Sequence, residues 1–247
     1  MRCARVPRGV VIAMAMAMAM AMAIVSSSHA AKKSRDAFWV RPDFATRKVD
    51  RIALFPVVSY DNNLQSENQV EASVGAAFKS LSYRWLSGTT ARDLIRSKPA
   101  GDSLLKEFRK GILAGGRLDS LQAPALAGML RCDAVLTLRI DQYEQHEPQW
   151  NEAGRPFTTV RLTAALVDSA GRLLWSITGG ETGEGPYHDP NASAVGVNDS
   201  GLERKPISGQ SGAPAFREVL ALIAPRWAEQ FPKHAATAAA DSAAAPH

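Results

Sequence analysis

The sequence contains little cysteine, and this restricts both its fold and its chemistry. Cys3 and Cys132 are the two cysteines among 247 residues. Cys3 precedes an amino-terminal apolar run, so cleavage after that run would leave Cys132 as the single thiol. One thiol cannot form an intrachain disulfide, and the fold must therefore rest on its core even in an oxidising compartment. We expect Cys132 to be an inert small hydrophobe rather than a nucleophile.

The spacings that mark metal and nucleophile sites are also absent. The five histidines include no His-x-x-x-His pair, and no Cys-x-x-Cys occurs. The segment Ser208–Gly212 lacks the Gly-x-Ser-x-Gly pattern of a nucleophile elbow. The segment Gly179–Gly185 is rich in glycine, yet it follows a predicted strand and opens no helix, unlike a phosphate-binding loop. The sequence therefore predicts no cofactor and no metal.

Histidine and carboxylate side chains are neighbours at two places inside the predicted domain. His146 lies between Glu144 and Glu147, and His188 precedes Asp189. Both groups fall in predicted loops, where solvated side chains are the simplest interpretation. The alternative is a small hydrolase or metal-dependent enzyme built from the loops around His146 and His188. That alternative requires both histidines and a carboxylate to converge within a few ångströms.

A dense cluster of lysine and arginine is missing as well. The net charge is +5, and it falls to +2 when the three arginines of the amino-terminal segment are removed. The sequence pI of about 9.4 is therefore partly a property of that segment. A mild positive charge without a basic patch argues against nucleic acid as a partner.

Long hydrophobic runs are absent apart from Val10–Val25. This run follows Arg2, Arg5 and Arg8, and it spans about 16 residues, fewer than the roughly 20 that cross a bilayer. After the run, Ser28 and Ala30 place small residues at the two positions that a signal peptidase reads. The pattern predicts a signal peptide in residues 1–30 and a mature protein that begins at Ala31 in the periplasm. No lipid-accepting cysteine follows the run, so we expect neither lipidation nor stable membrane insertion.

Three strands with alternating polarity form the centre of the sequence. They are predicted at Ala134–Tyr143, Thr158–Val167 and Arg172–Thr178, each with one buried and one wetter face. Asp168–Gly171 suits a hairpin between the second and third strands. Trp175 shares a face with other apolar residues of its strand, so we expect it to be buried against helices.

Helices and further strands surround this meander. Arg51–Val58 reads as a buried strand, and Ser66 with Gln69 matches a capping box for a helix over Glu67–Leu81. A short strand is predicted at Tyr83–Leu86, and the last helix at Pro214–Gln230. Three shorter helices are predicted between residues 90 and 130, the second of them capped by Asp102.

The resulting prediction is a single α/β domain with a mixed sheet of about five strands that ends in the antiparallel meander. The domain covers residues 49–231, preceded by an extended lead-in at residues 31–48. A long loop is predicted at residues 179–212 because this stretch is rich in glycine and has no sustained periodicity. Residues 232–247 are predicted to be a disordered, alanine-rich tail.

Three segments in this order resemble CsgG-like and LpoB-like envelope proteins and the TolB amino-terminal domain. The first is Arg51–Val58, with the loop and helix that follow it. The second is the helix-to-strand passage Leu126–Leu138, and the third is the hairpin Leu166–Trp175. The resemblance implies an anticodon-binding-domain-like α/β fold that serves protein–protein contacts in the envelope without catalysis. Residues 179–212 lack the alternation of lipid-facing strands, so a CsgG-type pore is not expected.

The candidate interaction surface lies where loops leave the meander. The loop after the first strand and the chain leaving the third emerge at the same end of the sheet, which brings His146, Trp150, Tyr187 and His188 near one another. Exposed aromatic residues on a rigid sheet are favoured contact residues. We therefore predict an exported, soluble interaction module with an envelope protein as its partner.

Overall fold

In a computed structural model, the described residues are 36–149, 151–188, 195–198, 201–204 and 212–233, so the predicted signal peptide lies outside them, as does the predicted tail from residue 234 onward. The strands are β1 (Ala37–Val40), β2 (Arg51–Leu54), β3 (Val58–Ser59), β4 (Arg84–Leu86), β5 (Ala134–His146), β6 (Phe157–Asp168), β7 (Leu173–Glu184), β8 (Val195–Asn198) and β9 (Gly201–Arg204). The helices are α1 (Leu64–Phe78), α2 (Gly88–Arg96), α3 (Gly101–Gly115), α4 (Gln122–Leu130) and α5 (Phe216–Gln230), with a short 3₁₀ turn at Phe44–Thr46.

Seven strands form one mixed sheet in the order β1-β7-β6-β5-β2-β4, with β3 paired to β5. The meander β5-β6-β7 is antiparallel, whereas β2 pairs in parallel with β4 and β5. Strands β8 and β9 form a separate two-stranded ladder. The predicted α/β class and its antiparallel meander are confirmed, and the sheet has two strands more than the five predicted.

Helices cover both faces of the sheet, and each face has its own apolar core. Helices α1 and α5 pack on one face, where Trp175, Trp227 and Phe78 are buried. Helices α2, α3 and α4 pack on the other, around Phe108 and Leu126. The prediction that Trp175 is buried is confirmed: its side chain is 0% exposed and its indole Nε1 donates to the carbonyl of Gln230 at 3.1 Å.

The cap of α1 differs from the prediction. The helix begins at Leu64, because the Asn63 side chain accepts hydrogen bonds from the backbone N–H groups of Gln65 and Ser66. Ser66 is therefore inside the helix, where its hydroxyl donates to the Asn63 carbonyl at 2.9 Å. Glu67, placed by the prediction at the helix start, is buried and accepts from the Ser59 backbone N–H at 3.0 Å.

The third helix also starts without the predicted cap. Asp102 is its second residue, and Ala100 occupies the N-cap position in a left-handed conformation with φ of 58°. No side chain caps this end of α3. The Asp102 carboxylate instead accepts from the Arg96 guanidinium at 3.1 Å.

Two boundaries of the predicted layout also differ. Strand β7 continues through Glu184, so the first six residues of the predicted loop at 179–212 are paired with β6. Residues 37–40 of the predicted lead-in form β1, which pairs with β7. Glycine is needed where Asp36, just before β1, approaches β7, since a Cβ at Gly179 would overlap the carboxylate of Asp36. That buried carboxylate accepts from Arg226 of α5 at 3.0 Å, and Arg226 also binds Glu181 of β7 at 3.0 Å.

Candidate functional site

The candidate surface lies at the far end of the meander. We name residues 144–157 and 184–188, apart from residue 150, the meander end. Strands β5 and β6 stay paired to His146 and Phe157, and β6 stays paired with β7 to Glu184. Each segment therefore starts in a strand of the sheet, and the sheet determines where the segment leaves it.

Backbone hydrogen bonds join the two segments beyond the last strand pair. The N–H of Gly185 donates to the Pro156 carbonyl at 2.7 Å. Gly154 and His188 form an isolated bridge, with N–H···O distances of 2.7 and 3.1 Å. The prediction that both segments emerge at one end of the sheet is borne out by these bonds.

The chain that enters α5 supports the same end from one side. Thr158 donates its hydroxyl to the Pro214 carbonyl at 2.6 Å, and Gln145 donates its amide to the Ala213 carbonyl at 3.4 Å. The Tyr143 ring stacks on Phe216 with 3.4 Å between centroids, and burial raises the pKa of the Tyr143 hydroxyl to about 12. These contacts connect the meander end to the apolar core under α5.

The predicted site residues have different surroundings. Tyr187 is 59% exposed. The His146 ring is exposed and stacks on Phe157 with 5.0 Å between centroids. His188 is half-buried and takes part in the bridge to Gly154 through its backbone. Trp150, the fourth predicted residue, lies outside the described residues.

Charge at the meander end is mostly negative. Glu144, Glu147, Glu152 and Glu184 bring four carboxylates, and Arg155 brings a guanidinium that donates to the Gly185 carbonyl at 3.3 Å. Within the described ranges, no group of three or more His, Cys, Asp or Glu side chains is arranged to hold a metal ion. The described residues thus offer a polar and aromatic contact surface, and they give no support to the metal-dependent alternative.

The sequence pattern does not predict the backbone bonds of Gly154 and Gly185 that join the two segments. Gly154 lies two residues before Pro156, and Gly185 lies directly before Pro186; glycine close to proline is a turn signal. A Cβ at Gly185 would lie 2.6 Å from the Gly212 carbonyl, so this position needs glycine for close backbone approach. The turn signal could have suggested an ordered connection, although the partner strand of each glycine could not be read from it.

None of the described helices is both long enough and apolar enough to span a bilayer. No family model and no curated protein matches the chain.

Solved structures with a similar arrangement of strands and helices include three bacterial proteins. The PelC dodecamer from Paraburkholderia phytofirmans is 15% identical over 77% of this chain and 94% of that chain, with a TM-score of 0.37. Lipoprotein GNA1162 from Neisseria meningitidis is 19% identical over 55% and 82%, with a TM-score of 0.35. The hypothetical protein CT253 from Chlamydia trachomatis is 14% identical over 61% and 77%, with a TM-score of 0.32. Similarity at this level supports no argument about function, and the resemblance to CsgG-like proteins stays a prediction.

Proposed function

We propose that the chain is a non-catalytic, exported protein-interaction module of the bacterial envelope, and that it binds its partner through the meander end. The observation that carries the proposal is the bracing of this surface. Exposed Tyr187 sits beside a segment held by the paired bonds between Gly154 and His188. A rigid surface loses little conformational entropy on binding, which favours affinity.

The partner's contact surface carries positive charge. The meander end presents four carboxylates and one guanidinium, although the mature chain as a whole would have a net charge of +2. Complementary charge increases the association rate and weakens with ionic strength. Aromatic residues such as Tyr187, together with Trp150 in the sequence, supply the apolar part of the contact.

Export to the periplasm is the part of the proposal that rests on the sequence. The basic residues, the short apolar run and the small residues before Ala31 support a cleaved signal peptide. We expect the mature protein to begin at Ala31 and to carry no lipid. Amino-terminal sequencing of the protein from a periplasmic fraction checks this, and retention of Met1 would contradict it.

The interaction is tested by partner capture with matched variants. The tagged mature protein is used to capture proteins from envelope extracts, beside a variant in which Trp150→Ala and Tyr187→Ala are combined. We expect the double variant to lose capture while it keeps its melting temperature. Leu222→Ala, which removes an exposed apolar side chain from α5, is the control and should capture normally.

Salt provides an independent check of the same surface. Reversing the charge of Glu147 and Glu152 to lysine should weaken capture at low ionic strength and reduce its dependence on salt. Full capture by the aromatic double variant, or unchanged salt dependence after charge reversal, would show that the partner binds elsewhere.

A further inference from the structure

A second surface lies at the edge of the sheet that β4 forms, between α1 and the connection from β4 to α2. It is a groove of about 650 Å³, within the usual size range of binding clefts. We name it the α1–β4 groove. Its apolar lining consists of Leu54, Ala72, Gly75, Ala76, Trp85 and Leu86.

On the α1 side of the groove, the side chains are small and project little into it. Ala72 and Ala76 are exposed, and a Cβ added at Gly75 would meet no atom within 4 Å. Side chains of another molecule therefore have room to enter beside the helix. Small helix residues alone do not indicate what the groove binds. The chemical class of the ligand is indicated by strand β4, which lies beside the helix.

Strand β4 is the last strand of the sheet on this side. The N–H of Arg84 donates inward, to the Asp50 carbonyl at 2.9 Å, and Arg84 and Trp85 are consecutive residues of the strand. Because backbone groups alternate in direction along a strand, the N–H and C=O of Trp85 are directed to the outer edge. The indole Nε1 of Trp85 also has no hydrogen-bond partner within the part of the chain that the structure describes.

Charge differs between the two ends of the groove. At one end Glu71 accepts from the Thr89 backbone N–H at 3.0 Å, and its carboxylate and the guanidinium of Arg92 both line the groove. Lys79 lies eight residues further along the chain, about 12 Å along the helix axis and toward the start of β4. Among the described residues, the Lys79 ammonium group makes no hydrogen bond or ion pair. The Arg92 guanidinium makes none with the described residues either, but it shares its end of the groove with the Glu71 carboxylate, whereas no carboxylate lines the groove at Lys79.

We propose that the α1–β4 groove binds an extended apolar peptide segment by its free carboxyl terminus, as an added strand antiparallel to β4 with its carboxylate at Lys79. Peptide amides can pair with the outward N–H and C=O of Trp85, which an acyl chain cannot do. Alternate side chains of an extended peptide point the same way, so every second residue would enter the apolar groove. The site is separate from the meander end and does not depend on the function proposed for it.

The test measures binding of fluorescein-labelled hexapeptides to the full mature chain. The set has valine, leucine or phenylalanine at alternate positions, and each peptide is made as the free acid and as the carboxamide. We expect free acids to bind and the carboxamides to bind at least about tenfold more weakly, since a charge-assisted contact is lost. Binding should also shift the ¹⁵N-indole resonance that Trp85→Phe removes.

Two pairs of variants make the test specific. Lys79→Ala should abolish the difference between acid and amide, whereas Arg92→Ala, which removes the same charge at the other end, should preserve it. Ala72→Trp should fill the groove and prevent binding. The same substitution at exposed Ala125 of α4 should leave binding unchanged, and thermal melting confirms that all four variants fold.

Contrary outcomes are equally clear. Equal binding of acids and amides, or loss of the difference in Arg92→Ala instead of Lys79→Ala, would overturn the placement of the carboxylate and with it the proposal. Binding of decanoate without binding of any peptide would identify a small amphiphile as the ligand and refute the peptide. Absence of binding by every probe would also refute it.

Discussion

The three long strands β5, β6 and β7 pass through two different environments. Near the start of β5, both faces of the meander are covered by helices, and Val135, Leu136 and Thr137 are all buried. Towards His146 one face still packs on the chain entering α5, while the other is left uncovered by the described residues and carries exposed Arg161. We call these the root half and the distal half. The same strands thus provide stability in one half and an accessible surface in the other.

Cross-strand pairs show what the helical cover changes. In the root half Thr137 is opposite Ala165 and fully buried, and its hydroxyl donates to the Ala165 carbonyl at 3.2 Å. In the distal half Thr159 and Thr182 are opposite each other, with 2.9 Å between their hydroxyls and solvent beside them. Strand polarity alone therefore does not determine burial. The loops and helices that return over the sheet determine it.

The largest expected effect follows from removing the aromatic core of the root half. Trp175→Ala should lower the free energy of unfolding by about 3–5 kcal/mol, since the indole contacts Phe78 and Phe231 and leaves a large cavity. Chemical denaturation measures the change. Trp39→Ala on the exposed edge strand β1 is the control and should cost less than about 1 kcal/mol. Equal losses in the two variants would contradict the assignment of Trp175 to a buried aromatic core and of Trp39 to an exposed edge.

Thiol reactivity should separate the halves by about two orders of magnitude. Burial raises the pKa of the Cys132 thiol from 9.0 to about 11, so at pH 8 its thiolate fraction is about 100-fold lower than that of an ordinary cysteine. Ellman's reagent should therefore label native Cys132 at least about 100-fold more slowly than the unfolded chain. Thr182→Cys in a Cys132→Ser background places a thiol in the distal half and should react at an ordinary rate. Rapid labelling of native Cys132 at pH 8 would show that water reaches the root half.

A smaller difference is expected from single hydroxyl groups. Thr137→Val removes a buried hydrogen bond and should destabilise the fold by about 1 kcal/mol. Thr159→Val in the distal half should change stability by less than about 0.5 kcal/mol, because solvent replaces the lost bond. Urea denaturation of both variants gives the comparison. A loss at Thr159 as large as that at Thr137 would mean that the distal face is covered by residues outside the described ranges.

Alternating polarity was sufficient to predict the meander, and it was misleading about the root half. The alternation in Ala134–Tyr143 places Thr137 on the wetter face, opposite Leu136 and Leu138, yet Thr137 is 0% exposed. Helices α3 and α4 pack on the face of the sheet that Thr137 shares with Val135, and strand polarity does not predict where helices will pack. A period of two reports the relative direction of side chains, and it carries no information on what lies above them.

Local capping and turn signals failed for a related reason. Ser66 and Gln69 match a capping box, but the carboxylate of Glu67 is required elsewhere: it binds Arg109 of α3 at 2.5 Å and the Ser59 hydroxyl at 2.7 Å. These contacts join residues up to 42 positions apart and hold the first turn against α3, while Asn63 caps the helix start. Likewise, Gly179 and Gly180 suggested a loop, although each allows a neighbour to approach β7 closely.

The candidate surface was predicted to the extent that topology determines it. An up-down-up meander requires the segments around His146 and His188 to lie at one end, and the Gly154–His188 bridge agrees with this. The strand pattern predicts a short strand at Tyr83–Leu86 but does not predict the α1–β4 groove beside Trp85. Its position at the edge of the sheet depends on the strand order, which the sequence pattern does not specify.

The ion pair between Asp36 and Arg226 has a consequence for the order in which the molecule is completed. The two residues are 190 positions apart, so the cation that pairs with Asp36 is synthesised long after it. In a polypeptide that emerges amino end first, from a ribosome or from a translocation channel, β1 can pair only after β7 has appeared, and the ion pair can form only after α5 has appeared. The sheet is therefore completed at this edge only after most of the chain is present, and β7 is an exposed edge until β1 pairs with it.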